Sequence, residues 1–210
     1  MKLLDLFCGA GGAGMGYHFA GFEVVGVDIA PQLHYPFEFH QADALEYLRE
    51  HGSQFDLIHA SPPCQHYSAI QNITKNKHKW PDLVEPVRKL LQASGKPYVI
   101  ENVAGAPLRV DLMLCGSAFG LGMIRHRIFE ISFPVPVLNF TCRHENMYDP
   151  WHYGTNQRVE MSKAMKIDWF MTRQEVREAI PPAYTEYIGK YALLSNTACT
   201  GRQESADLPA

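Results

Sequence analysis

Three groups of residues in this 210-residue chain have the types and settings that chemistry requires. The first is the glycine-dense stretch Cys8-Gly9-Ala10-Gly11-Gly12-Ala13-Gly14, which follows a short apolar run and opens a helical pattern. Glycines there let the backbone approach a ligand closely, and a helix N-terminus favours polar or anionic groups. Asp28, at the end of the next apolar run, is placed to accept hydrogen bonds from a ribose diol. The pair signals a nucleotide-like cofactor, although tight strand–helix packing would use the same glycines. No Gly-Lys-Ser/Thr ending is present, which disfavours nucleoside triphosphate hydrolysis.

Cys64 is the second. It follows Pro62 and Pro63 where a strand pattern breaks off, so it is expected on a rigid turn at the carboxyl edge of a sheet. A cysteine so placed acts as a nucleophile when its thiolate is stabilised or a base is near. Without that help it is a small buried hydrophobe. Glu101-Asn102-Val103, ending a later strand, is the third. A carboxyl group there can donate or accept a proton, or simply begin a surface loop.

The elements that must carry these groups alternate at short spacing. Strands are expected at residues 2–6, 24–29, 55–60 and 98–100. Helices are expected from the glycine stretch to about Ala20, stopped by Gly21, and at 42–51 and 81–94. This alternation predicts an α/β domain, a mostly parallel sheet with helices on both faces. Beyond about Ile131 the rhythm is lost, and residues 132–171 read as an irregular insertion. Thr172-Arg173-Gln174-Glu175 fits a capping box, and a last helix is expected over 183–194, followed by a flexible tail from 195 to 210. The division expected is a core of 1–131, an insertion of 132–171, and closing helices of 172–194.

Hydrophobic residues make up 46% of the chain and charged residues 20%, the profile of a globular protein. No apolar run approaches the roughly 20 residues needed to span a bilayer, and no secretory signal is evident. Five scattered cysteines, an odd number, point to free thiols in a reducing cytoplasm. The net charge of −3 opposes a nucleic-acid partner, yet Lys75, Lys77, His78 and Lys79 cluster, as do Arg125, His126 and Arg127. A basic face on an acidic molecule is compatible with both facts.

In order along the chain, Asp5-Leu6-Phe7-Cys8-Gly9-Ala10-Gly11-Gly12, Pro62-Pro63-Cys64-Gln65, Glu101-Asn102-Val103 and Arg125-His126-Arg127 resemble four motifs of the cytosine-C5 DNA methyltransferases. Met123 stands where the arginine motif usually has glutamine. The resemblance implies a Rossmann-like S-adenosylmethionine-dependent fold and methyl transfer to C5 of cytosine in double-stranded DNA. It implies that Cys64 adds to C6 of a flipped-out base, that Glu101 binds the base edge, and that Arg125 and Arg127 support both. For the cofactor it implies Phe7, Gly9 and Gly11 near the methionine moiety, Asp28 on the ribose, and Asp43 and Ile29 at the adenine, with Pro63 and Glu178 completing the contacts. Asp43 would equally serve as a helix cap. Gln65, Ser68, Asn102, Lys75, Lys77 and Lys79 are the implied substrate contacts, the lysines neutralising phosphates. The setting implied is the cytoplasm of a bacterium or of a phage-infected cell.

Two departures accompany this resemblance. The terminal Gly-Asn-x-Val motif has only Arg177-Glu178-Ala179-Ile180 as its counterpart, and residues 132–171 are short for target recognition. A homodimer is one way to make up the missing surface. Cys142-Arg143-His144, with His152, raises the question of zinc, but no second ligand pair has the usual spacing, so no metal is expected. Rival readings are an RNA-directed enzyme of the same chemistry, a non-catalytic binder, and a dinucleotide dehydrogenase. The last leaves Cys64 and Glu101 unexplained.

Overall fold

The structure is a computed structural model, and it describes residues 1–67, 81–138, 142–145, 147 and 157–200. Seven strands form one sheet: β1 (Lys2–Leu6), β2 (Glu23–Asp28), β3 (Glu38–Gln41), β4 (Leu57–Ala60), β5 (Tyr98–Asn102), β6 (Leu112–Leu114) and β7 (Arg127–Ile131). Their order is β3-β2-β1-β4-β5-β7-β6, with β7 antiparallel to both its neighbours and the other pairs parallel. The central strands are buried on both faces, as expected where helices cover a parallel sheet.

The helices are α1 (Gly12–Ala20), α2 (Ala44–His51), α3 (Val84–Ser94), α4 (Gln157–Met165), α5 (Arg173–Glu178) and α6 (Pro182–Thr200). One core cluster joins Leu4, Leu6, Ile58 and Ile100 to Leu48, Val87 and Leu91 of α2 and α3. A second, on the other face, joins Leu3, Val24, Leu57 and Phe129 to Tyr17 of α1 and to Tyr184 and Ile188 of α6. This is the Rossmann-like α/β architecture that was expected.

Close approach of α1 and α6 rests on small residues. A Cβ on Gly16 would lie 2.0 Å from the Pro182 carbonyl oxygen and 2.1 Å from Thr185 Oγ1. The Thr185 hydroxyl instead donates to the Ala13 carbonyl at 2.8 Å, satisfying a buried polar group across the helix interface.

Several local expectations need correction. Strands β3, β6 and β7 were not foreseen; they are three to five residues long, and β3 is half exposed, so none of the three leaves a long apolar run. Helix α4 lies inside the stretch expected to be irregular. Its polar sequence has little amphipathic pattern, but Met161 and Met165 are buried with Ala10, Met123, Met171 and Val176 in a third cluster. The insertion therefore packs against the core. Helix α6 runs on to Thr200, past the expected tail boundary at 195. The capping box at Thr172 is present in full, its hydroxyl accepting from the Glu175 N–H.

Candidate active site

Strand register sets the site. Val27, Leu6, Ala60 and Ile100 lie in one row across β2, β1, β4 and β5. One residue further along the chain, Asp28, Phe7, Ser61 and Glu101 therefore share the carboxyl edge of the sheet. Because β7 is antiparallel, its first residue, Arg127, arrives at that same edge, beside β5, where Asn102 pairs with Ile128.

The glycine loop is shaped by backbone conformations that most side chains resist. Phe7 has φ 58°, an uncommon value for a residue with a Cβ, and Gly9 and Gly11 have φ 49° and 87°. A Cβ on Gly9 would meet nothing within 4 Å, whereas one on Gly11 would lie 2.7 Å from Pro36 Cδ. Gly9 thus borders open space, and Gly11 serves packing as well as the turn into α1. Asp28 accepts from the Gly9 N–H at 3.1 Å and the Ala30 N–H at 3.0 Å, tying the loop to β2 and leaving further lone pairs on both oxygens. Asp43 caps α2 through Oδ1 alone, accepting from the N–H groups of Leu45 and Glu46. Ile29, beside Asp28, is 71% exposed, an apolar surface suited to a flat ring. Open loop, ribose-ready acid and exposed apolar side chain fit S-adenosylmethionine.

Two prolines carry the chain from β4 to Cys64, which opens a single 3-10 turn, Cys64–His66. The turn is anchored from the next strand, because Asn102 Nδ2 donates to the Pro62 carbonyl at 2.9 Å. Asn102 is 1% exposed, and its Oδ1 accepts from the Val103 N–H. Its side chain thus braces the loop that carries Cys64. Burial pushes the Cys64 thiol up; Arg127 and Arg125 pull it down, and Glu101 pushes it up again. All four groups therefore share one electrostatic environment.

Glu101, 5% exposed, takes an ion pair from Arg127 Nε at 2.8 Å. Burial raises its carboxyl above the usual range, against the lowering effects of Arg127, a hydrogen bond from Ser61, and Arg125. Arg125 is pushed down to about 9 by burial and by Arg127, and stays charged at neutral pH. It donates to the Arg177 carbonyl at 2.8 Å, and the Tyr184 hydroxyl donates to its own carbonyl. Its Nε is buried with no partner among the described residues, as is Gln65 Oε1.

Beneath Glu101 lies a relay that the sequence reading missed. Buried His59 is 3.1 Å from the Tyr17 hydroxyl through Nδ1 and 2.9 Å from Ser61 Oγ through Nε2. Burial pushes its imidazole down to about 3, so the ring is neutral. With the hydroxyl of Tyr17 donating to Nδ1, the Nε2–H donates to Ser61, whose own proton is free for Glu101. Nothing in an apolar strand with one histidine announces this, because Tyr17 is 42 positions away.

Pro63 stays on the loop between the cofactor edge and Cys64, half-buried. Glu178, expected at the cofactor, is exposed and accepts from Gln174 at 3.2 Å. Its neighbours do the folding back: a Cβ on Gly12 would lie 2.5 Å from the Ile180 carbonyl oxygen. Trp169 closes the same side, its indole donating to the Ala10 carbonyl at 3.0 Å. Ser68, Lys75, Lys77 and Lys79 lie outside the described residues. No described helix is long and apolar enough to cross a membrane.

Known proteins share parts of this sequence and this fold. The chain is 30% identical over 121 residues to the type II methyltransferase M.AquIA of Picosynechococcus sp., covering 50% of this chain and 49% of that protein. It is 31% identical over 115 residues to the type II methyltransferase M.FnuDI of Fusobacterium nucleatum, covering 50% and 33%. The chain thus matches about half or less of the length of these curated relatives. Among solved structures, the Entamoeba histolytica methyltransferase EhMeth shares the fold, with a TM-score of 0.61 at 11% identity over 91% of this chain and 97% of that one. The model of the C-5 cytosine-specific DNA methylases matches residues 1–107, which hold the glycine loop, Cys64 and Glu101, and the chain belongs to that family.

Proposed function

We propose that this chain transfers a methyl group from S-adenosylmethionine to C5 of cytosine in DNA, with Cys64 as nucleophile. The observation that carries the reading is the convergence of Cys64, Glu101, Arg125 and Arg127 on one sheet edge beside the glycine loop. S-adenosylmethionine supplies an electrophilic methyl group, and Phe7, Gly9, Gly11, Asp28, Ile29, Asp43 and Pro63 are the residues that would hold it. Asp43 Oδ2, not used in capping, is available to an adenine amine.

The target base leaves the duplex, because its reacting atoms are unreachable in the stack. The Cys64 thiolate adds to C6, forming a C–S bond and shifting electron density to C5. Arg127 and Arg125 favour that thiolate against its burial. Glu101 holds the N3 and amine edge, while the guanidinium donors face the charge that builds on the base. C5 takes the methyl group while the donor leaves as a neutral thioether; C5 then gives its proton to water as the C–S bond breaks, restoring both cytosine aromaticity and the thiolate. One chain supplies all four groups. Gln65, Ser68, Lys75, Lys77 and Lys79 follow the nucleophile in sequence and are proposed to meet the DNA backbone. Both curated relatives are type II methyltransferases, which makes modification beside a restriction enzyme the setting proposed.

The test uses duplex DNA containing 5-fluorocytosine, S-adenosylmethionine and either wild type or Cys64→Ala. Fluorine cannot leave as a proton does, so wild type should accumulate a covalent adduct and the variant none. Absence of adduct from folded protein that binds cofactor would overturn the DNA assignment, and methyl incorporation into transfer RNA instead would make RNA the substrate.

A further inference from the structure

Where β6 and β7 reach the same sheet edge, four side chains from three segments come together. Cys115 follows β6, His126 stands between the two arginines of the site, and Cys142 and His144 lie in the insertion after β7. One ligand atom from each lies within 4.8 Å of all the others. His144 Nε2 is 3.4 Å from Cys115 Sγ, and His126 Nε2 is 3.4 Å from Cys142 Sγ. The two imidazoles stand nearly perpendicular, with centroids 5.1 Å apart at 75°. Both cysteines are free thiols.

We propose that Cys115, His126, Cys142 and His144 bind one zinc ion in a closed, structural tetrahedral site. Zinc bonds of about 2.3 Å to sulfur and about 2.0 Å to nitrogen set a tetrahedral sulfur–nitrogen edge of about 3.5 Å. The two observed edges of 3.4 Å match it. Ideal sulfur–sulfur and nitrogen–nitrogen edges are about 3.8 Å and about 3.3 Å, so no separation closes by more than about 1.5 Å on metal capture. Two thiolates and two imidazoles suit zinc over harder cations and leave no open position for substrate. Ser117 already donates to Cys115 Sγ at 3.4 Å, the kind of outer hydrogen bond that steadies a ligating thiolate.

The ligand spacing hides the site, for only Cys142 and His144 are close in sequence. The expectation of no metal is therefore replaced by a proposed one, built with Cys115 and His126; His152, the partner first considered, lies outside the described residues. The ion would fasten the insertion to the backbone between Arg125 and Arg127, making it a positioning site for the arginines.

The test measures metal in untagged full-length protein expressed with added zinc and purified without chelator. About one zinc per chain is expected, and cobalt exchange should give the intense visible bands and sulfur charge-transfer absorption of a tetrahedral thiolate site. Cys142→Ser and His144→Ala should each retain at least about tenfold less zinc, while Cys64→Ser retains it in full. Folded wild type that takes up neither zinc nor cobalt, or cobalt bound without sulfur charge transfer, would overturn the proposal. The wild-type cobalt spectrum decides even if the variants fail to fold.

Discussion

Arg127 Nε meets Glu101 Oε1 at 2.8 Å, across the junction where antiparallel β7 joins the otherwise parallel run of strands. A parallel strand in that place would have brought its last residue, not its first, to the carboxyl edge. The reversal thus brings Arg127 to the acid it pairs with. Glu101 is 7% exposed and Arg127 14% at the side chain, so neither charge is well solvated without the other.

Arg127→Lys should therefore keep the charge and lose the fork. We expect the methyl-transfer rate to fall by about 10²–10³-fold, as when one preorganised donor is removed from a site of developing charge. Single-turnover rates on a duplex substrate measure this; a variant at the wild-type rate would remove Arg127 from the chemistry.

Asn102→Ala should loosen the Pro62–Cys64 turn by cutting its tether. Cofactor affinity, set mainly by the glycine loop and Asp28, should stay within about twofold, while turnover drops at least about tenfold, since about 1 Å of misplacement can cost a hundredfold. Calorimetric titration with S-adenosylmethionine beside turnover separates the two effects. Equal losses in both would contradict a local positioning role.

Ser61→Ala should act on Glu101 without touching substrate. Ser61 lowers the Glu101 pKa, so its loss should raise it further. Carbon-13 labelling of glutamate side chains and NMR titration would show the Glu101 carboxyl resonance titrating at higher pH in the variant. An unchanged midpoint would mean that the His59–Ser61 relay ends before the acid.

Glu130 gives the fold a pH dependence. It is 1% exposed and receives Arg88 Nε at 3.0 Å and Nη2 at 2.8 Å, with the Arg109 N–H at 3.1 Å. Burial pushes its carboxyl up, but the Arg88 and Arg109 contacts outweigh this and hold it below the usual range. A depressed folded pKa means stability that is full above the unfolded value of about 4.3 and lost as pH falls through the folded one. Glu130→Gln should cost about 2–3 kcal/mol at pH 7 and flatten the acid limb. Urea midpoints from pH 7 down to the start of acid unfolding report both.

Gly16→Ala tests the α1–α6 seam. Its new methyl would sit 2.0 Å from a backbone oxygen, which cannot yield as a flexible side chain would. Destabilisation of about 2–3 kcal/mol is expected from overpacking, read as a lowered melting temperature.

What was legible in the sequence was what is local. Pro62-Pro63-Cys64 announces a rigid turn, a strand ending in Glu101 announces an edge position, and Gly21 announces the end of α1, which it closes at φ 107°. What was hidden depends on partners far apart in the chain. Asn102 gives no local sign of reaching Pro62, His59 reads as one more strand residue, and nothing near Ile180 announces its approach to Gly12. Helix α4 was missed because two buried methionines, not a periodic stripe, dock it.

The bond from Thr185 to Ala13 spans 172 positions. On a ribosome, α1 emerges well before the surface of α6 that it packs against, which follows 172 positions later. Until α6 appears, Tyr17 and the flank of α1 around Gly16 stay uncovered. Assembly of the cofactor edge therefore waits on α6, and in the interval a nascent chain carries an exposed apolar helix, a natural place for chaperone engagement.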